Sequence, residues 1–217
     1  MEVASQPSSR LAERLAAIRA AILEADRDPA EVAIVAVTKT RPLADCVDAL
    51  AAGLNLLAEN RVAEGLERIE QLPAARWHLI GHLQSNKVRL AAGRFDLIQS
   101  VDSVRLAALI AERAPRQRVL LQVNISGETE KHGCLPAGTV ESCRAISRLL
   151  PLVGLMGMAP LAGAPEPSFE LLAGLRQEAQ QATGLELPIL SMGMSGDYPA
   201  ALRAGSTMLR LGRVLFG

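Results

Sequence analysis

Lysine is scarce in this 217-residue chain: there are three, Lys39, Lys87 and Lys131, and every other Lys/Arg position is arginine. Aromatics are almost as rare, with one Trp, one Tyr and three Phe, which argues against the stacking platforms that bind single-stranded nucleic acid. There is no charge excess of either sign, 23 basic residues facing 23 acidic ones, so no nucleic-acid footprint or membrane-surface helix is expected. No apolar run approaches a membrane span. The segment Met1 to Arg10 is polar and lacks the apolar centre of a signal peptide. Cys46, Cys134 and Cys143 are three in number and irregularly spaced. That fits neither a disulfide framework nor a zinc pattern, so reduced thiols in the cytoplasm are expected. Apolar residues make up 49% of the chain, enough for a sizeable core, and the length suits one domain, 1–217, or a single large α/β barrel.

An amphipathic helix carrying Leu11, Leu15, Ile18 and Ile22 opens the chain. Eight short apolar runs follow, at 32–37, 54–58, 77–80, 96–101, 119–123, 152–156, 188–192 and 207–211. Helical patterns separate them, near 43–52, 61–71, 86–92, 103–114, 138–150, 167–183 and 198–204. Gly53, Gly93, Gly184 and Gly205 fall where helices should stop. Eight strand-then-helix units predict an α/β fold, a single (β/α)8 TIM barrel with an additional N-terminal helix. A doubly wound sheet is the alternative, weakened by the lack of a G-x-G-x-x-G after the first strand. The stretch Met158 to Pro167 is the most irregular and reads as a mobile lid or a surface connection.

Lys39 follows the run Val32–Val37 after a single residue, Thr38. A lysine at the end of a buried strand loses its proton more easily than a hydrated one, and a neutral amine attacks carbonyl compounds. The plainer reading is a lysine that snorkels to water. The other strand ends are polar too: Glu59-Asn60-Arg61, Gly81-His82, Asp102-Ser103, Asn124-Ile125-Ser126, Gly193-Met194-Ser195 and Arg210-Leu211-Gly212-Arg213. In a parallel barrel these ends share the face that carries the active site. Two segments suit a phosphate: Ser191 to Asp197, and Gly205 to Arg213. Small residues there let backbone N–H groups approach an anion, and the loops after strands seven and eight are the usual phosphate position in this fold. Closing the barrel pairs the first strand with the eighth, about 4.8 Å apart, and makes Lys39 a near neighbour of Arg210. A pyridoxal phosphate fits that span.

Several motifs in order carry a resemblance that covers nearly the whole chain: Val35 to Pro42 (VAVTKTRP), Glu59-Asn60-Arg61, Trp77 to Lys87 (WHLIGHLQSNK), Gln122 to Ile125 with Lys131-His132-Gly133, Leu190 to Ser195 (LSMGMS), and Gly205 to Gly212 (GSTMLRLG). The chain resembles the pyridoxal phosphate homeostasis proteins, the YggS/PROSC family. The resemblance implies a barrel like the N-terminal domain of alanine racemase, with pyridoxal 5'-phosphate as cofactor and Lys39 as the Schiff-base lysine. It implies Ser195, Gly212 and the Arg213 backbone around the phosphate, and Arg210 facing the pyridine nitrogen. Asn60 and the segment Gln84-Ser85-Asn86 would lie near the cofactor or its pocket wall. Thr38 stands for the more usual Ser, Ala58 for Gly and His82 for a common Pro. Some relatives carry a short basic tail beyond the position of Gly217.

Arg210 is a permanent cation, so a nitrogen facing it stays unprotonated and makes a poorer electron sink. A two-base racemase also needs a second acid/base, supplied in the racemases by a Tyr of another domain or subunit; Tyr198 reads as packing or surface. The expected function is therefore a carrier or buffer of pyridoxal phosphate in intracellular vitamin B6 homeostasis. Such a protein would be monomeric, without robust catalytic activity, with apoenzymes as transient recipients. The alternatives are a weak amino-acid enzyme such as a racemase, or a barrel for another phosphorylated small molecule. No metal site is expected, because His78 and His82 straddle a strand and Gly81. His132 reads as a loop residue, Cys134 and Cys143 as unreactive thiols. Glu59 reads as a base or a partner for a neighbouring arginine.

Overall fold

The structure, a computed structural model, describes residues 8–128 and 130–217; the Met1–Pro7 part of the reading about a signal peptide lies outside them. Helix α1, Ser9–Glu24, buries the four residues its periodicity marked, Leu11, Leu15, Ile18 and Ile22. Ser8 caps it, its side-chain oxygen accepting from Leu11 N at 3.4 Å, while Ser8 N and Oγ donate to the Asp48 carboxylate at 2.6 Å each. Arg14 ties the helix to the end of the chain through Leu215 O, 3.0 Å.

Eight parallel strands then close into a barrel in sequence order: β1 Ala33–Val37, β2 Leu56–Glu59, β3 Arg76–Leu79, β4 Leu97–Val101, β5 Val119–Gln122, β6 Leu152–Met156, β7 Ile189–Ser191 and β8 Met208–Leu211. The connecting helices are α2 Leu43–Ala51, α3 Val62–Gln71, α4 Val88–Ala91, α5 Val104–Ala111, α6 Thr139–Ser147, α7 Glu166–Thr183 and α8 Tyr198–Arg203; α9, Arg213–Phe216, ends the chain. The expected (β/α)8 architecture with its extra N-terminal helix is what the chain forms. Boundaries move by a few residues for local reasons. The second strand starts at Leu56 rather than 54 because Leu54 N bonds back to Ala49 O at 2.9 Å around Gly53, whose φ is +83°. That left-handed glycine closure ends α2 and spends two residues outside the sheet. The pattern near 86–92 resolves into a 3-10 turn, Ser85–Lys87, followed by the single α turn of α4.

Between strands and helices lies one large apolar layer, in which Trp77 is 2% exposed with its Nε1 donating to Leu72 O at 3.1 Å. Inside the barrel, Val35, Ala58, Leu97, Leu120, Met156 and Met208 form a second cluster. Register shows what shares that interior. His78 pairs with Ala58, Gln122 with Met156, Ser191 with Met208 and Arg210 with Val35, and Gln99 is two residues beyond Leu97. Five polar side chains thus occupy a core that branched apolar residues usually fill.

At the N-terminal mouth of the barrel, Asp96 is met by Arg76 Nη2 at 2.8 Å, His78 Nε2 at 3.6 Å and Arg118 Nη1 at 3.6 Å. The His78 N–H directed at it, followed by Arg76, holds the Asp96 carboxyl well below the usual carboxylate range. Among the described residues no helix is long and apolar enough to cross a membrane.

Candidate functional site

The C-terminal mouth holds a cavity of about 680 Å³, within the range of small-molecule sites. Lys39, Asn60, Ser195, Arg210, Gly212 and Arg213 all line it, so the residues singled out at scattered strand ends do converge. Lys39 arrives on a tight turn. Arg41 N bonds to Thr38 O at 2.9 Å, and Thr40 adopts φ +62°, a left-handed conformation costly for a β-branched residue and the one a type II turn demands at its third position. Thr38 is buried and anchors the turn: its hydroxyl contacts Glu59 Oε1 at 2.6 Å and Ala58 O at 3.2 Å. Lys39 itself is exposed. The strand end does not bury it, so desolvation by the strand is not what the fold supplies. The register also revises its relation to Arg210. Arg210 pairs with Val35, four residues short of Lys39, so the two line one cavity at different depths rather than as direct cross-strand neighbours.

Arg210 is 4% exposed. Its Nη1 donates to Ser191 Oγ at 2.8 Å and its Nη2 to Gly157 O at 2.9 Å. Burial brings its pKa down to about 10, with Asp197 opposing that shift, so it remains a cation at neutral pH. Neither Arg210 nor Lys39 has a carboxylate within salt-bridge distance among the described residues. Beside it, after β7 and β8, Ser195 Oγ accepts from Gly212 N at 3.3 Å and Val214 N at 3.1 Å, holding the start of α9 against the loop after β7. Two glycines make the wall possible. A Cβ on Gly81 would stand 2.0 Å from Asn60 O, and one on Gly193, at φ +93°, would stand 2.6 Å from Ala201 Cβ.

The loops after β5 and β6 border the mouth. Lys131 Nζ reaches Ala159 O at 3.2 Å and Glu128 Oε2 at 2.9 Å, and Leu161 N donates to Glu128 Oε1 at 3.4 Å. Lys131 therefore belongs to the site, a role that the motif Lys131-His132-Gly133 alone did not assign it. The 157–165 loop keeps Leu161 90% exposed above the opening. His82 and His132 line the same cavity, their rings stacked at 3.7 Å and 8° from parallel, with His82 Nδ1 3.4 Å from Asp102 Oδ2. The three offer ligand atoms close enough for a metal ion. Stacked rings, however, keep their in-plane lone pairs in two separate, nearly parallel planes rather than aimed at one point, so this geometry is a stacked pair steadied by a carboxylate.

The readings of Gln84–Asn86 and Glu59 are corrected, and those of Tyr198 and the cysteines are met. Gln84, Ser85 and Asn86 are exposed and do not line the cavity, because the 3-10 turn carries them outward. Glu59 is buried against the Thr38 hydroxyl instead of pairing with an arginine, and burial raises its pKa. Tyr198 packs partly buried against the outer core. Burial likewise raises the thiols of Cys46 and Cys134, and that of Cys143 to about 12, which leaves them unreactive.

Residues 9–217 match the family model for the alanine racemase N-terminal domain, so the class is that racemase-type barrel. An alanine racemase of Clostridium difficile superposes with a TM-score of 0.75 at 16% identity over 98% of this chain and 57% of its own, a likeness of fold. The pyridoxal phosphate homeostasis protein of Vibrio alginolyticus is 40% identical over 206 residues, 88% of each chain. PipY of Synechococcus elongatus, in its structure with pyridoxal phosphate bound, superposes with a TM-score of 0.83 at 37% identity, covering 95% of this chain and 100% of that one. The chain belongs to the pyridoxal phosphate homeostasis protein family.

Proposed function

We propose that the barrel, as one domain over 1–217, holds pyridoxal 5'-phosphate on Lys39 and serves intracellular pyridoxal phosphate homeostasis as a carrier and buffer. The observation that carries this is the set of groups lining the cavity: an exposed amine at the mouth, a buried donor-only guanidinium, and the Ser195 hydroxyl bonded to the backbone at the start of α9. An aldehyde, a ring nitrogen lone pair and a phosphate are the three chemistries that set complements, and PipY, of the same family, binds the molecule that has all three.

In this reading the Lys39 amine forms the Schiff base with the aldehyde. Ser195, Gly212 and the Arg213 backbone hold the phosphate, and Asn60 borders the ring. Arg210 meets the pyridine nitrogen. The bound cofactor supplies electron withdrawal from its ring. Arg210, still a cation at neutral pH, gives that nitrogen no proton, which limits the withdrawal and favours storage over turnover. The Lys131–Glu128–Leu161 ties hold the loops after β5 and β6 together beside the mouth. Release by exchange with an incoming amine would deliver the aldehyde to apoenzymes. The expected setting is a monomer in the cytoplasm.

Weak amino-acid turnover, such as racemisation, is the second reading, favoured by the imidazoles of His82 and His132 on the cavity wall. Borohydride reduction of the protein incubated with pyridoxal phosphate, followed by peptide mass mapping, tests the first. An adduct on Lys39 is expected; one on Lys87 or Lys131 alone, or none, overturns it. Chiral analysis of amino acids incubated with the loaded protein separates carrier from enzyme.

A further inference from the structure

The polar residues inside the barrel form a continuous chain from one mouth to the other. Arg210 Nη1 donates to Ser191 Oγ at 2.8 Å. Ser191 Oγ donates to Gln99 Oε1 at 2.7 Å. Gln99 Nε2 lies 3.0 Å from His78 Nδ1, and His78 Nε2 lies 3.6 Å from Asp96 Oδ2. His78, Gln99, Ser191 and Arg210 are each under 5% exposed.

The direction of every proton follows from the first member. A guanidinium has donors only, so Ser191 Oγ must accept from it and use its single hydrogen on the Gln99 carbonyl oxygen. The Gln99 amide nitrogen then faces His78 and donates, so His78 Nδ1 must be a lone pair. The remaining ring proton is on Nε2, facing Asp96. Burial pushes the His78 pKa down, against the pull of Asp96, in agreement with a neutral ring. The charged groups facing His78 are Asp96, Arg76 and Arg118, and the last two oppose its protonation. The string thus runs from a buried cation to a carboxylate at the far mouth, with all donors oriented the same way. Aligned hydrogen bonds of this kind polarise one another.

We infer that Ser191, Gln99 and His78 are positioning residues: a one-way hydrogen-bond relay, anchored on Asp96, that sets the orientation and donor strength of Arg210 toward its ligand. This rests on the proposed contact of Arg210 with a pyridine nitrogen. The relay couples the two mouths. Protonating His78 at Nδ1 would force the Gln99 amide to turn, place its NH2 group against Ser191 and deprive the serine hydroxyl of its acceptor beneath Arg210.

Two measurements test it. In the ligand-free full chain, 15N NMR of the imidazoles at pH 7 should find His78 neutral with its proton on Nε2. A proton on Nδ1, or an imidazolium, overturns the relay whether or not pyridoxal phosphate binds. In the second, pyridoxal phosphate is titrated spectrophotometrically into the parent, Gln99→Leu and Asp96→Asn, with thermal unfolding run alongside. Asp96 is partly exposed and far from the cavity, so Asp96→Asn folds even if the core change does not. Both variants should bind about tenfold more weakly, the loss expected for one charge-assisted hydrogen bond, and should shift the pH midpoint of the bound chromophore's absorption. Ser191→Thr, which keeps the hydroxyl, should restore binding relative to Ser191→Ala. Parent-like affinity and parent-like pH midpoint in Asp96→Asn overturn the coupling. A parent that binds no pyridoxal phosphate overturns the cofactor reading and the role given to Arg210, leaving the NMR result to decide the relay itself.

Discussion

The two mouths of the barrel hold the same kinds of groups and use them oppositely. At the N-terminal mouth Asp96 gathers two arginines and a histidine within 3.6 Å, so charges are satisfied within the protein. At the C-terminal mouth Arg210 bonds only to neutral oxygens and Lys39 stands exposed. Charges paired with one another make a structural clamp; donors left with spare valence make a binding site. The backbone repeats the contrast: the left-handed Thr40 lies beside Lys39, where strain is retained for position rather than stability.

The comparison breaks most sharply at Lys39. Lys39→Ala should abolish the borohydride-trapped adduct completely while changing stability by less than about 0.5 kcal/mol in denaturant unfolding, as expected for an exposed side chain. Arg210→Met comes next. It removes the ring partner but keeps volume, so pyridoxal phosphate binding should fall about a hundredfold, the loss of a charge-assisted hydrogen bond in a buried setting. Stability should fall by about 1–3 kcal/mol, because the buried Gly157 carbonyl and Ser191 hydroxyl lose their donor. The clamp should behave the other way. Asp96→Asn should keep the Lys39 adduct yet lower stability at neutral pH by about 1–2 kcal/mol, since it loses hydrogen bonds to charged partners.

Acid should reveal the same clamp. The folded pKa of Asp96 is depressed, so its contribution is complete above its unfolded value of 3.8 and is lost as pH falls below it. The folded pKa of His78 is also depressed, so its contribution is present above 6.5 and is lost as pH falls beneath that value. Denaturation midpoints measured from pH 7 to 3 should show both losses, and Asp96→Asn should flatten the lower one. Ser195→Ala is expected to be smaller, costing about 1 kcal/mol for hydrogen bonds on a half-buried hydroxyl. Arg61→Ala should be smallest, below about 0.5 kcal/mol, because its 2.9 Å pair with Glu64 is solvent-exposed.

The barrel was readable because alternation of short apolar runs and helical faces leaves few alternatives, and Gly53, Gly93, Gly184 and Gly205 do take positive φ at helix ends. Lys39, Asn60, Ser195, Arg210, Gly212 and Arg213 were readable as a set because parallel strands force their C-terminal ends onto one face. The polar string inside the barrel leaves a weaker signal in the sequence. His78, Gln99 and Ser191 break the expectation that inward strand positions are apolar, and such breaks mark function. The contributions of Lys131 and His132 were not readable: they sit on a loop whose path over the mouth is set by ties to Ala159 and His82, residues distant in sequence. The outward turn of Gln84–Asn86 depends on a 3-10 geometry that a helical apolar pattern does not distinguish.

Trp77 has a consequence of its own. It is the chain's sole tryptophan, immobilised in the wall of the barrel by packing and by its bond to Leu72 O. Indole emission overlaps the absorption of pyridoxyl chromophores, and one donor fixed in a rigid wall views the cavity from one distance and one angle. The protein thus contains a built-in optical gauge, and quenching of its ultraviolet fluorescence would report occupancy of the barrel in real time without a label.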